Sequence, residues 1–300
     1  MKKILSVLLA LMMGAAVLSG CSSTDAASSS SAGSSEAVSS EAASSEAASE
    51  AASSEEASSE AAADTALPET FILGLDAAFP PMGFTDENNE IIGVDIDLAK
   101  AVCEKLGMQF EAKPIEWDSK DMELSTGKIT CIWNGLTVTE ERKEIYEMSK
   151  PYMMNDQVIV VMEDSPIQSK ADLAGKIVAA QKDSSGLEAL QSDEIYASIQ
   201  DGAAKEYADY VTAFGDLELG RCDAIVMDSV VANYYITANA KAARVLDETM
   251  AAEEYAIGFK KGDTALKDAV EGALSELAAE GKIAEISQKW FGRDDMIIVE

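Results

Sequence analysis

Arg142 lies at a position where a helix does not ordinarily favour a cation. It belongs to the stretch NGLTVTEERKE, residues 134–144, which follows an apolar, β-prone run and leads into a helical pattern. Arg142 therefore falls in the first helical turn, where the helix terminus already carries partial positive charge. An arginine there indicates a nearby anion. That anion is either a neighbouring glutamate (Glu140, Glu141 or Glu144) in a surface ion pair, or a group from outside the chain.

Polar or glycine-containing segments recur where an apolar strand ends and a helix begins. They occur at 76–84, 134–139, 182–186 and 228–229. Ligands of open α/β sheets bind beside such strand ends. Asp228, directly between a strand and a helix, also suits the ordinary role of a helix N-cap.

The composition excludes several classes of function. The chain has no histidine, which removes Ser/His and Cys/His catalysis and histidine-based zinc sites. Cys103, Cys131 and Cys222 each lie in an apolar element, so we expect small buried side chains rather than a disulfide framework. Beyond residue 66 the chain has 21 basic and 45 acidic residues, a net charge of −24. Such acidity argues against nucleic acid and anionic lipid surfaces as partners.

The first 66 residues are typical of export and tethering rather than of a packed domain. A short basic start and an apolar run to Leu18 predict a signal peptide over residues 1–20. Leu-Ser-Gly-Cys resembles the lipobox of bacterial lipoproteins, in which Cys21 is diacylated and becomes the new N-terminus; an ordinary secretory signal is the alternative. Residues 21–66 are almost all Ser, Ala and Glu after the cysteine, and we expect a disordered tether. We therefore expect an extracytoplasmic protein that contacts the cell membrane only through a lipid anchor.

From Leu67 onward, apolar runs alternate with helical patterns, which predicts an α/β fold. The predicted strands are 71–75, 108–115, 129–134, 156–162, 176–181, 224–227 and 254–260. One predicted helix runs through Leu98, Val102 and Leu106 and ends at Gly107. The other predicted helices lie at 118–126, 215–220, 229–240 and 263–280. A further helix begins at about residue 187, and the last one ends at 290–292.

Five motifs in sequence order, over roughly residues 70–292, resemble those of the family 3 extracellular solute-binding proteins. They are DAAFPPMGFTDENNEIIGVDIDLAKAV, NGLTVTEER, SKPYM, ELGRCDAIVMDSVVANYYI and IAEISQKWFG. The resemblance implies a type II periplasmic-binding-protein-like fold, with a ligand cleft between two lobes joined by two crossover strands. Lobe 1 would be 67–156 plus 251–300, and lobe 2 would be 157–250. The hinge would lie near 155–158 and 251–254.

The resemblance also implies roles for residues that would hold an amino acid's backbone. Arg142 would bind the α-carboxylate with its guanidinium, and Thr137 would add its N–H and hydroxyl. Asn134 and Gly135 would offer backbone carbonyls to the α-ammonium group. Asp228 would face that ammonium group from lobe 2.

Further roles concern the amino acid's side chain and the second lobe. Phe79 and Trp117 occupy positions where the family places aromatic rings against the ligand side chain. Asp76, at the base of the cleft, would accept a hydrogen bond from a polar or cationic side chain, or else cap nearby backbone. Ser184 and Ser185 would hydrogen-bond the carboxylate from lobe 2.

The loop QKDSSG, residues 181–186, departs from the family pattern. Asp183 stands where the family usually has glycine before two small hydroxyl residues. Glycine often marks a positive φ or a close approach of backbone to ligand, and aspartate tolerates the first better than most residues. Close contact between the backbone at Asp183 and the ligand is therefore in question.

The function that the resemblance implies is an amino-acid receptor of an ABC importer, monomeric and without cofactor, metal or enzymatic activity. It would deliver its amino acid to the importer's permease. Aromatic walls with Asp76 favour a polar amino acid, namely glutamine, a cationic amino acid or cystine. One alternative is a dehydratase-like enzyme of the same fold, which would need a carboxylate such as Asp76 or Asp228 as general acid. The other is a surface lipoprotein that senses a ligand for a separate partner.

Overall fold

The apolar runs of the sequence form the strands of one mixed sheet in the computed structural model, which describes residues 67–299. The predictions for residues 1–66, including the signal peptide, Cys21 and the tether, lie outside the described residues. No helix in the described range is both long and apolar enough for a bilayer crossing.

Twelve strands and eight α-helices make up the described part of the chain. The strands are β1 (Thr70–Leu75), β2 (Ala78–Phe79), β3 (Gly83–Thr85), β4 (Ile91–Ile92), β5 (Gln109–Pro114), β6 (Cys131–Thr137), β7 (Tyr146–Met148), β8 (Met153–Met162), β9 (Val178–Gln181), β10 (Lys205–Tyr207), β11 (Ala224–Asp228) and β12 (Ala243–Lys260). The helices are α1 (Val94–Leu106), α2 (Lys120–Ser125), α3 (Glu140–Ile145), α4 (Ser185–Ser192), α5 (Tyr210–Glu218), α6 (Ser229–Thr237), α7 (Thr264–Ala279) and α8 (Lys282–Phe291). Short 3₁₀ turns include Trp117–Ser119, ahead of α2.

The main sheet has two parallel ends and an antiparallel centre. Its order is β10-β9-β11-β8-β12-β6-β1-β5, with β7 also paired to β12. β1 pairs in parallel with β5 and β6, and β9 pairs in parallel with β10 and β11. We call the half with β5, β1 and β6 the first lobe, and the half with β10, β9 and β11 the second lobe.

Two long antiparallel strands join these lobes. β8 and β12 pair along most of their length, and Glu253 stands opposite Asn155 in this ladder. The pairing has register shifts between Val245 and Thr249 and between Thr249 and Ala251. The expected two-lobed α/β fold with two crossover strands is thereby confirmed.

Helix and strand limits differ from the sequence prediction at several places. β6 continues to Thr137 instead of ending at Asn134, so the segment expected as a loop starts later. β12 begins at Ala243 rather than near 254, because its upstream part is largely exposed and lacks the apolar alternation used for the prediction. α5 begins at Tyr210 instead of 215, where Asp209 accepts a hydrogen bond from the Thr212 N–H. α6 ends at Thr237 rather than at 240.

The three cysteines of the described chain are free and buried, as predicted. Burial raises the pKa of the Cys103 and Cys222 thiols to about 11, and that of Cys131 well above its usual value. They therefore stay neutral and act as small apolar side chains.

Candidate functional site

All ten residues expected to bind a ligand line a single cavity between the two lobes. The free space among their side chains, counting the part that opens to solvent, is about 280 Å³, and Gln181 lines it as well. From the first lobe come Asp76, Phe79, Trp117, Asn134, Gly135, Thr137 and Arg142, and from the second lobe come Ser184, Ser185 and Asp228. The ends of β1, β6, β9 and β11 supply most of them, as expected for an open α/β sheet.

The Arg142 side chain is directed into the protein rather than along its surface. Thr139 caps α3 by accepting a hydrogen bond from the Arg142 N–H at 3.1 Å. The guanidinium is buried, and its Nη1 donates to the Thr137 carbonyl at 2.9 Å. Its ion-pair partner within the described residues is Glu188 of the second lobe, 3.9 Å away, and not the glutamates beside it in sequence. The buried fork can therefore still accommodate a carboxylate in the cavity.

Gly135 is required by its conformation and by its neighbours. Its φ is +60°, and a Cβ there would lie 2.9 Å from the Phe79 ring and 3.1 Å from that of Tyr255. Its N–H donates to the buried Asp95 carboxylate at 2.9 Å, which also accepts from the Tyr152 hydroxyl at 2.8 Å. The turn in β6 is therefore held from inside the first lobe.

Asp76 caps nearby backbone, one of the two roles that the sequence left open, and also contacts the second lobe. One carboxylate oxygen caps the Ala78 N–H at 2.8 Å, and the other accepts from the Gln181 amide of the second lobe at 2.7 Å. The Asn134 side-chain oxygen accepts from the Asp76 N–H at 2.9 Å, which fixes the strand end. Burial raises the pKa of Asp76 to about 6.

Two aromatic side chains form walls of the cavity. Phe79 packs against Tyr210 of the second lobe, with ring centroids 5.9 Å apart. The Lys120 ammonium lies 5.2 Å from the centre of the Trp117 ring. The Phe79 ring therefore contacts the second lobe across the cleft, and the Trp117 ring contacts a lysine at the border of the cleft.

The second-lobe loop closes against the first lobe through Asp183. Its φ is +58°, a conformation that aspartate tolerates better than most residues. Its carboxylate forms an ion pair with the buried Lys120, whose ammonium also donates to the Asp183 carbonyl at 3.3 Å. Next to it, Lys182 pairs with Asp118 of the first lobe at 2.7 Å. The residue that replaces the family glycine is thus an interlobe contact.

The two serines of this loop have different surroundings. The Ser184 hydroxyl caps α4, accepting from the Leu187 N–H at 3.1 Å and donating to the Gln181 carbonyl at 2.8 Å. The Ser185 hydroxyl lies 2.9 Å from that of Thr137, across the cleft. The Ser185 hydroxyl also accepts a hydrogen bond from the Gln157 amide at 3.2 Å, so each of the two serine hydroxyls has two partners within the protein.

Asp228 stands at the N-cap position of α6, but its side chain does not cap the helix. The N-cap role considered from the sequence is therefore wrong for the carboxylate. It accepts instead from Tyr255 at 2.6 Å, Gln157 at 2.8 Å and Asn155 at 2.9 Å. Burial, and then the neighbouring Glu253 carboxylate, raise the pKa of Asp228 well above its usual range.

Several residues of the site were not predicted. Each of them contacts a predicted residue or another member of the group, which consists of Lys120, Gln181, Tyr210, Tyr255, Asn155, Gln157 and Glu253. One signal was present, because Asn155 and Gln157 are two residues apart in an otherwise apolar strand and therefore share a face. Lys120 and Glu253 have no local signal, since each contacts residues remote in sequence. Within residues 67–299, no group of three or more Cys, Asp or Glu side chains is arranged to hold a metal ion.

Comparison with known proteins connects this cavity to amino-acid binding. A family model for bacterial extracellular solute-binding proteins, family 3, matches residues 71–293. The L-cystine-binding protein TcyJ of Escherichia coli (strain K12) is 28% identical over 227 residues, which cover 75% of this chain and 84% of that protein.

Solved structures of amino-acid-bound proteins share the fold. The ABC uptake transporter substrate binding protein of Streptococcus pneumoniae with bound histidine is 39% identical, with a TM-score of 0.73 over 75% of this chain and 94% of that one. An ancestral arginine-binding protein bound to glutamine is 37% identical, with a TM-score of 0.71 over 76% of this chain and 100% of that one. These relatives are binding proteins rather than enzymes. The chain thus belongs to family 3 of the bacterial extracellular solute-binding proteins, an amino-acid-binding family of ABC substrate-binding proteins.

Proposed function

We propose that this protein is a receptor that captures a polar amino acid between its lobes and delivers it to the permease of an ABC importer. The observation that carries the proposal is the pair of opposite charges lining one buried cavity. Arg142 lies on the first lobe and Asp228 on the second. An amino acid's carboxylate and ammonium group match these two residues, and binding both requires the lobes to close.

The proposed amino acid has a polar or cationic side chain. The remaining wall combines the rings of Phe79 and Trp117 with the Asp76 carboxylate and the Gln181 amide. Rings favour a flat or extended side chain, and buried polar groups favour one that can hydrogen-bond. The named relatives bind cystine, histidine and glutamine, which fits this class.

We further propose that residues 1–20 direct export and that Cys21 carries a lipid anchor on the extracytoplasmic face of the cell membrane. Residues 21–66 would act as a tether, lobe 1 would comprise 67–156 plus 251–300, and lobe 2 would comprise 157–250. The basic start, the apolar run and Leu-Ser-Gly-Cys support this arrangement. Replacing Cys21 with serine should abolish incorporation of radiolabelled palmitate and release the protein from the membrane fraction. Unchanged labelling would contradict the anchor.

A thermal-shift screen tests the binding function. The purified protein, unfolded and refolded to remove carried amino acid, would be heated with each common amino acid and with cystine. At about a thousand times the dissociation constant, binding stabilises the folded state by about 4 kcal/mol. For a domain of this size that is a rise of roughly 8–16 °C in the unfolding midpoint. A rise with glutamine, a cationic amino acid or cystine is the expected result, and no rise with any of them would contradict the proposal.

A further inference from the structure

Two buried carboxyl groups lie side by side where the second lobe meets the crossover strands. Asp228 ends β11, and Glu253 lies on β12. The Gln157 amide donates to Asp228 at 2.8 Å and to Glu253 at 2.9 Å. The Asn155 amide likewise donates to Asp228 at 2.9 Å and to Glu253 at 2.6 Å. The two acids therefore share one set of donors.

No cation of the described chain compensates this pair. Neither Asp228 nor Glu253 takes part in an ion pair among residues 67–299. Arg142 lines the same cavity as Asp228, but its guanidinium is directed at the Thr137 carbonyl and at Glu188. Glu188, from α4, lines the surface pocket that also includes Glu253, and so adds negative charge there. The protein itself therefore leaves two adjacent acids without a counter-ion.

The other groups around the pair are neutral. Tyr255 donates to Asp228, and burial raises the pKa of Tyr255 well above its usual value. The Tyr210 hydroxyl of α5 is fully buried and makes no hydrogen bond of good geometry in the described chain, although Ser184 and Asp228 lie close enough to influence its pKa. The Gln157 side-chain oxygen is also buried without a partner. Unpartnered polar atoms at a buried acid pair indicate that a further group completes the site.

Two adjacent buried carboxylates cannot both be ionised without a cation, so they retain one proton between them. After burial, the charge of the adjacent Glu253 carboxylate is the largest cause that raises the pKa of Asp228. An ammonium group brings positive charge and three donors, which can replace the proton.

We propose that Glu253 belongs to the ammonium-binding site together with Asp228, and that a shared proton occupies this site until the ammonium group of an amino acid replaces it. This inference rests on the proposed function. On binding, the carboxyl O–H bond breaks, the electron pair stays on oxygen, and the proton leaves to the buffer. The ammonium group is then held by hydrogen bonds and charge, and no covalent bond forms. Glu253 lines the surface pocket next to the cleft, which gives the proton an exit.

Proton release makes the affinity depend on pH. As long as the free protein holds the shared proton, each unit of pH increase should strengthen binding by up to about tenfold, because one proton is released for each amino acid bound. At a pH low enough for Asp228 and Glu253 to keep their shared proton even with the amino acid bound, the affinity should no longer depend on pH.

Calorimetry in buffers of different ionisation enthalpy measures this release directly. The probe would be L-glutamine, whose own groups do not titrate at about pH 6 to 7 and whose uncharged side chain does not displace a proton from Asp76. We expect close to one proton released per amino acid by the wild-type protein and almost none by Glu253→Gln, in which an amide can donate to Asp228 without a shared proton. Glu254→Gln is the matched control, since its side chain is exposed and next in sequence. The control should behave as the wild type does.

The outcomes separate this inference from the proposed function. Binding without proton release, or equal release by wild type and Glu253→Gln, would overturn the inference and leave the receptor function standing. No binding of any amino acid would overturn the receptor function. Carboxyl ¹³C NMR of the unliganded protein adds a test that needs no ligand. The pKa of Asp228 should lie well above its usual range in the wild type and fall in Glu253→Gln, whereas an ordinary pKa in the wild type would overturn the inference.

Discussion

At the scale of single residues, Arg142 has the clearest consequence for binding. We expect Arg142→Ala to weaken amino-acid binding by about 2–5 kcal/mol, because a ligand carboxylate would be left in a buried site without its charged partner. Calorimetry on the folded variant measures this loss. Arg221→Ala is a suitable control, since Arg221 is exposed and pairs with Asp216 at the surface. Equal affinity of Arg142→Ala and wild type would exclude Arg142 from the site.

Gly135 tests whether the cavity depends on one backbone conformation. We expect Gly135→Ala to destabilise the protein by about 2–4 kcal/mol, from its positive φ together with the contact at the Phe79 ring. Gly127→Ala is the control, because Gly127 also has a positive φ but no atom within 4 Å of the added Cβ. Denaturant unfolding of both variants separates the two causes. Equal losses of stability would mean that the crowding around Gly135 has no energetic effect.

At the scale of elements, the loop between β9 and α4 contributes to closure. We expect Asp183→Gly to accelerate amino-acid release about tenfold, because it leaves the buried Lys120 unpaired when the lobes are closed. The free energy that corresponds to a tenfold change in rate is smaller than the usual cost of breaking a buried ion pair, because the Asp183 side chain is 48% exposed. The unfolding midpoint without ligand should change little, because glycine adopts the positive φ more readily.

Stopped-flow dissociation of a fluorescent or competing amino acid would measure the release rate of Asp183→Gly. Lys182→Ala is the control, because its ion pair with Asp118 is exposed and worth less than about 1 kcal/mol. Release from Asp183→Gly at the wild-type rate would show that the Lys120–Asp183 contact does not stabilise the closed cleft.

At the scale of the whole molecule, buried acids make stability depend on pH. Burial raises the pKa of Asp76 to about 6 and that of Asp95 to about 7, and it also raises the pKa of Asp228 well above its usual range. The folded state therefore holds protons that the unfolded chain has already lost. The free energy of unfolding should decrease as the pH rises from about 4 to about 7. Above about pH 7 the contributions of Asp76 and Asp95 should no longer change.

Denaturant unfolding without amino acid, across about pH 4.5 to 8, measures this decrease. We expect the free energy of unfolding to fall by a few kcal/mol, since each unit of pKa shift corresponds to about 1.4 kcal/mol. A free energy that rises over this range would show that these acids are ionised in the folded protein without cost.

Much of the site could be predicted because its residues follow local rules. Arg142 in a first helical turn and Asp228 between a strand and a helix stand out from their own neighbours in the sequence. Parallel strands bring their carboxyl ends to one edge, so the residues after β1 and β6 converge in the first lobe and those after β9 and β11 converge in the second. The order of the five motifs therefore predicted both the two-lobed fold and the ten residues that line the cavity.

The tertiary structure decided what each polar group does. Asp228 looked like a helix cap, but Tyr255, Gln157 and Asn155 reach it from the crossover strands and occupy its carboxylate. Glu253 lies in an acidic stretch whose sequence resembles that of an exposed surface segment. The upstream half of β12 has no apolar pattern, because backbone pairing to β8 holds it in place. Hydrogen bonds between residues that are distant in the chain, and the burial of those residues, leave no periodic pattern in the sequence. The five motifs, through the family that they resemble, thus predicted which residues line the cleft, and only the packing of the two crossover strands placed a second acid beside Asp228.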